Sequence, residues 1–251
     1  MAFIQLDFLS KYLNMHTAVN IALPMPDDAS APMEDIPCLV LLHDSGDDMT
    51  AWQRNVPVER YANEYGVAVV MPDGALSFYE NMRHGGMYRN YIAKELPQVL
   101  RSYLPLSAKR EKNFIAGCGM GGTGALKLAL DNIGNYCAAG VFGAAHMERE
   151  AANEAMQSAL WRAYGGDADA CRREIEKNAA EIAENGPQIR IFHACAEGAY
   201  SENVASTRAF FEKTGGKLGY SFEGFAGRDN WAAREKMLVR FMETACREVI
   251  I

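Results

Sequence analysis

The chain has 251 residues, 49% hydrophobic and 23% charged, which is ordinary globular usage and enough to bury one sizeable core. Its formal net charge is -7, with acidic and basic residues interspersed and no basic run, which argues against nucleic acid and anionic membrane as partners. The start, "MAFIQLDFLSKYLNMH", has no basic stretch leading into an apolar core, and no apolar run approaches the roughly 20 residues of a membrane span, so a cytoplasmic chain is expected.

In chain order, residues 3–9 and 17–23 read as an antiparallel pair, followed by a Pro- and Asp-rich surface turn, "PMPDDASAPMEDIP". Five continuous apolar, β-prone runs come next: "CLVLLH" (38–43), "VAVVMPD" (67–73), "NFIAG" (113–117), "AAGVFGAA" (138–145) and "IRIFHACA" (189–196). Runs of that kind suit strands buried on both faces of a parallel sheet. Apolar spacing of the 3.6 type runs through "YRNYIAKELPQVLRSYL", "GGTGALKLALDNI", "SENVASTRAFFEKTG" and "NWAAREKMLVRFMETACREV". Strand followed by helix, repeated, predicts one α/β domain over 1–251, with helices on both faces of a mostly parallel sheet. The charged helical stretch 147–186 breaks the rhythm, and it reads either as a small cap over the mouth of the sheet or as a solvated excursion.

The six cysteines, Cys38, Cys118, Cys137, Cys171, Cys195 and Cys246, are scattered without a C-x-x-C pair or a histidine at ligand spacing. Neither a metal site nor a disulfide framework is expected, and nothing calls for a cofactor. His43 and His193 fall in predicted strands and read as core residues, whereas His16, His84 and His146 fall in predicted loops, with His84 bordering the expected cleft.

The chemistry concentrates in "FIAGCGMGGTGA", residues 114–125. An apolar strand, a Gly-rich turn and a helix form the frame of a nucleophile elbow, G-x-S-x-G, in which small residues two before and two after the nucleophile let strand and helix approach. Gly117 and Gly121 occupy those positions, so Gly119 stands in the nucleophile slot. Shifting the frame by one would put Met120 on the crowded side of the turn, so Cys118 is expected to point into the packed underside.

From the N-terminal strands through "LLHDSGDDMTAWQRN", "VERYANEYGVAVVMPDGALSFYENM", "YRNYIAKELPQVLR" and "FIAGCGMGGTGALKLAL", the chain resembles the tributyrin esterase branch of the esterase D and S-formylglutathione hydrolase family. The resemblance implies an α/β-hydrolase fold, an ancestral activity on short acyl esters and a homo-oligomer. It also places the family's functional residues. The serine slot falls on Gly119, the histidine slot in "AGRDNWAAR" on Arg228, and the acid slot on Glu197 or, with a shifted gap, on Gly198. The family's His-Gly before the oxyanion donor is His43-Asp44 here, with the Ser45 N–H still available.

Glycine has no side chain to attack with, and arginine stays protonated at biological pH, so neither replaces a nucleophile or its base. A degenerate triad predicts a pseudo-esterase. The N–H groups of Ser45 and Met120, those of Gly121 and Gly122 at the helix start, and the Arg228 guanidinium would form a site for a small carboxylate or phosphate. Arg228 paired with Glu197 or Asp229 is the opposing expectation. An active carboxylesterase would need Cys118, or a water activated by His43, Asp44 or Glu197. A structural subunit that works through its oligomer surface is a third reading.

Overall fold

A computed structural model describes residues 1–26, 33–145, 154–167 and 169–246. Strands β1 (Ala2–Ser10), β2 (Met15–Leu23), β3 (Cys38–Leu42), β4 (Ala68–Pro72), β5 (Asn113–Cys118), β6 (Ala138–Phe142), β7 (Ile189–Ala196) and β8 (Leu218–Phe225) form one sheet in the order β1-β2-β4-β3-β5-β6-β7-β8. The β1–β2 and β2–β4 pairs are antiparallel and all later pairs are parallel, as in an α/β-hydrolase.

Strands β3, β4, β5 and β6 are buried along their whole length, which is why they carry continuous apolar runs instead of alternation. At the edge, β1 alternates between half-buried and exposed residues, so one face meets the core and the other meets solvent. Strand β8 has no counterpart among the strands expected from sequence. Its "LGYSFEGF" holds two glycines and mixed polarity, because an edge strand buried fully only at Leu218 needs no apolar run.

Helices α1 (Ala51–Asn55), α2 (Val58–Glu64), α3 (Tyr88–Asn90), α4 (Leu96–Tyr103), α5 (Met120–Asp131), α6 (Glu154–Tyr164), α7 (Ala170–Asn185), α8 (Glu202–Thr214) and α9 (Trp231–Ala245) cover the sheet. Between α3 and α4 the chain winds as a π-helix over Tyr91–Glu95. Pro97 follows in the first turn of α4, and the wider winding accommodates a residue with no N–H to donate. One core cluster joins α4, α5, α7 and α8 to one face of the sheet, through residues such as Leu96, Leu128, Ile175 and Phe211. The other joins α1, α2 and α9 to the opposite face, through Trp52, Val58, Met237 and Phe241.

The stretch 147–186 divides in two. Helix α6 leaves Met156 on the cleft, while α7 buries Cys171, Ile175, Ala179 and Ile182 at helical spacing against the core that holds α5. His146 and the start of this stretch lie outside the described residues. None of the six cysteines is in a disulfide. Among the described residues no helix is long and apolar enough to cross a membrane, and no group of three or more His, Cys, Asp or Glu is arranged to hold a metal.

Candidate functional site: the elbow and its internal carboxylate

The frame read from the sequence is the frame built. Strand β5 ends at Cys118, α5 begins at Met120, and Gly119 between them takes φ 52° and ψ -120°, a region that L side chains enter only with strain. A Cβ at Gly117 would lie 2.5 Å from the Gly121 backbone, and one at Gly121 would lie 2.6 Å from the carbonyl oxygens of Leu42 and His43. Only glycine fits either position. Cys118 is 1% exposed, and burial pushes its thiol far above the range in which a thiolate forms, so it is a packing residue.

The nucleophile slot is not vacant. A Cβ at Gly119 would lie 2.0 Å from Asp44 Oδ1. That oxygen accepts a hydrogen bond from the Ser45 N–H at 2.7 Å and from the Met120 N–H at 2.9 Å. These are the N–H groups that the sequence frame assigns to an oxyanion or bound anion, and a carboxylate of the chain itself now occupies them. On its other side, Asp44 Oδ2 accepts from Arg234 NH2 at 3.0 Å. Arg234 also holds both carboxylate oxygens of Asp229 and lies 5.2 Å over the Trp231 ring. Burial works against the charge on this guanidinium, but Asp229 and Asp44 outweigh it and hold it protonated.

The cation that reaches the elbow is therefore Arg234, and Arg228 is not the residue that does so. Arg228 sits exposed in the turn before the α9 cap, Asn230. Arg234 lies in the first turns of α9, where side chains lean back toward the helix start and so reach Asp229 and Asp44. With Asp229 already held by Arg234, and no ion pair between Glu197 and Arg228 among the described residues, neither partner expected for Arg228 is taken. Among the other helix-start groups, the Gly122 N–H turns back to the Gly119 carbonyl at 3.0 Å.

Glu197 opens a short helical turn after β7 and is exposed. The Gly198 N–H donates to Gly227 O at 2.9 Å, and a Cβ at Gly198 would stand 3.4 Å from the Arg228 Cα. Of the two candidate acid positions, 198 is the one that abuts residue 228.

The histidines have other work. His43 Nδ1–H donates to Asp44 O at 2.8 Å, and its Nε2 accepts from the Gly74 N–H at 2.9 Å. Both ring nitrogens are engaged, which leaves neither free to serve as a base. His193 bonds the Tyr220 hydroxyl at 2.7 Å and Ala144 O at 2.9 Å. His84 is exposed and stacks on Trp161 of α6, with ring centroids 4.5 Å apart, away from the residues that line the cleft.

Asp44, Ser45, Gly119, Met120, Met156 and Ser201 border a cleft of about 210 Å³. Sequence reasoning noted Asp44 as a departure from His-Gly and as one candidate for activating a water, and did not single out Arg234. The available signal was the pair of departures from the family pattern that the resemblance places at 119 and 44. The sheet register brings those two positions together, because Leu42 faces Gly117 and the residues two further along meet.

An open, mostly parallel sheet with a strand–elbow–helix and a donor pair at its C-terminal edge defines an α/β-hydrolase of the esterase kind. The Esterase family model matches residues 10–236, and the chain belongs to that family. An acetyl esterase of Caldicellulosiruptor saccharolyticus is 32% identical over 142 residues, 54% of this chain, and the match spans about half of that enzyme, 53%. Two Staphylococcus aureus structures are 26% identical and cover 98% of each chain: the fluorophosphonate-binding serine hydrolase FphF, TM-score 0.84, and the S-formylglutathione hydrolase FrmB, TM-score 0.81.

Proposed function

We propose that this chain is a non-hydrolytic member of the esterase family, a pseudo-esterase whose oxyanion position is filled by its own Asp44. The observation that carries the reading is the Asp44 carboxylate, bonded to the Ser45 and Met120 N–H groups at the place where a residue-119 side chain would begin. Acyl transfer develops negative charge opposite such donors, and preorganised donors are among the largest contributors to rate. Here they are spent on a fixed negative charge, which both occupies the volume and repels an oxyanion. Displacing it breaks charge-assisted hydrogen bonds worth roughly 1.5–3 kcal/mol each.

Asp44 also makes a poor base for activating water. Both of its oxygens already accept from N–H donors, one of them cationic, so neither is free to take a proton from an incoming water.

The test is hydrolysis of p-nitrophenyl acetate at high protein concentration, with Cys118→Ala alongside and with labelling by a fluorophosphonate probe. Turnover well below about 1 per second in both proteins, with no label, is the expected result. Turnover at or above that rate overturns the reading, and its loss in Cys118→Ala would assign a thiol nucleophile.

The expected small-anion site becomes a latent one in this reading. Asp44→Ala frees the two N–H groups and Arg234 together, so the variant binds acetate or phosphate and the native chain does not. Equal binding by the two proteins in calorimetry would show that Asp44 does not compete for the site.

A further inference from the structure

A second cavity, of about 340 Å³, opens at the other end of the sheet, against Cys38 and Val40 of β3 and Asn113 at the start of β5. The elbow lies at the far end of β5, roughly 17–20 Å away at about 3.3 Å per residue. Ligands of open α/β sheets enter at the carboxyl ends of the strands, and this cavity is at the amino ends, so it is separate from the cleft described above. Its apolar wall comes from Val40, Ala93, Leu96, Leu100 and Leu106.

The polar lining is one-sided. No Asp or Glu borders the cavity, although the chain carries 32 acidic residues against 25 basic ones. Two cations, Lys94 and Arg101, stand at the rim. Arg101 donates only to neutral oxygens, Ser107 O at 3.2 Å and Asn113 Oδ1 at 3.3 Å, and neither cation has a carboxylate partner among the described residues. The decisive group is Tyr136. Its side chain is 3% exposed, it lines the cavity, and its hydroxyl bonds no protein atom. Burial raises its phenol first, the Cys38 thiol adds to this and the Arg101 guanidinium opposes it, and all three residues line the same cavity. A buried hydroxyl without a partner is destabilising, and a site that retains one holds a donor ready for something that enters.

We propose that this cavity binds a small carboxylic acid with an aliphatic or aromatic body, its carboxylate between the Tyr136 hydroxyl and the Arg101 guanidinium and its apolar body against Val40, Leu96, Leu100 and Leu106. A cavity of this size suits a body of about ten heavy atoms, with a few convergent donors that set its direction.

Isothermal titration of the full chain with octanoate, and with octan-1-ol and octylamine as controls, tests the assignment. Octanoate binds one equivalent and at least tenfold more tightly than either control. Tyr136→Phe weakens octanoate about three- to tenfold, while leaving the melting temperature of the ligand-free protein unchanged or raised, because the hydroxyl removed had no partner. Arg101→Gln weakens octanoate tenfold or more. No heat with octanoate at millimolar concentration, or binding indifferent to both Tyr136→Phe and Arg101→Gln, overturns the proposal.

Discussion

At residue 119 a side chain and the Asp44 carboxylate would compete for the same space. Gly119 keeps the positive φ of an elbow, which costs a non-glycine residue about 1–3 kcal/mol. Any Cβ there would collide with Asp44 as well. Gly119→Ser alone is therefore expected to lower the melting temperature by more than backbone strain accounts for. Adding Asp44→Gly recovers part of the loss, since the carboxylate no longer has to leave. Additive effects in a thermal double-mutant cycle would mean that the two positions do not share the space. The Ser45 and Met120 N–H groups are held in alignment by an anion supplied internally, Asp44 Oδ1.

Among the elements, the elbow helix α5 is tied to its surroundings by buried charge as well as by packing. Lys127, its side chain fully buried, donates to Glu80 Oε2 at 2.8 Å and to Phe78 O at 3.0 Å. Arg89 links Glu80 at 2.7 Å, Asp131 at 2.9 Å and Glu174 of α7 at 2.6 Å, so the helix that follows the elbow and the helix packed on it share one network. Glu80→Gln strands Lys127 and is expected to cost about 3–5 kcal/mol in urea unfolding, whereas Lys127→Met, which removes the buried ammonium, stays close to the native value. Equal losses in the two variants would contradict a desolvation origin. Asp131 gives the network a pH dependence. Burial raises its carboxyl to about 6, against the pull of Arg89. A carboxyl raised in the folded state contributes stability that is complete below its unfolded value and is lost as pH rises through about 6. Asp131→Asn should therefore match the native chain only below about pH 3.8, the unfolded value, and exceed it at pH 8; a difference that does not change with pH would refute the assignment.

For the whole molecule, the pseudo-esterase reading proposed above predicts that the scaffold should accept an installed triad. Position 198 abuts residue 228, and the neighbouring Asp229 shares Arg234 with Asp44 at the elbow. Asp44→Gly, Gly119→Ser, Gly198→Asp and Arg228→His together are expected to raise p-nitrophenyl acetate hydrolysis at least about a hundredfold over the native chain, the scale of positioned acid–base assistance. A folded quadruple variant with native-level rates would mean that the slots have drifted apart. The sheet's central strands, the glycines at 117 and 121, and the absence of a serine at 119 and a histidine at 228 were legible in the sequence, because each depends on local composition or on one side chain at one place. Strand β8 was not, because an edge strand with one exposed face lacks the apolar run that marks the others. The sequence by itself determined the α/β scaffold and a glycine between strand and elbow helix. Only the tertiary structure decided what stands at that turn: Asp44 meets Met120 across 76 residues and Arg234 across 190, and it took the register of β3 against β5 and the lean of side chains on α9 to turn three distant residues into one closed site.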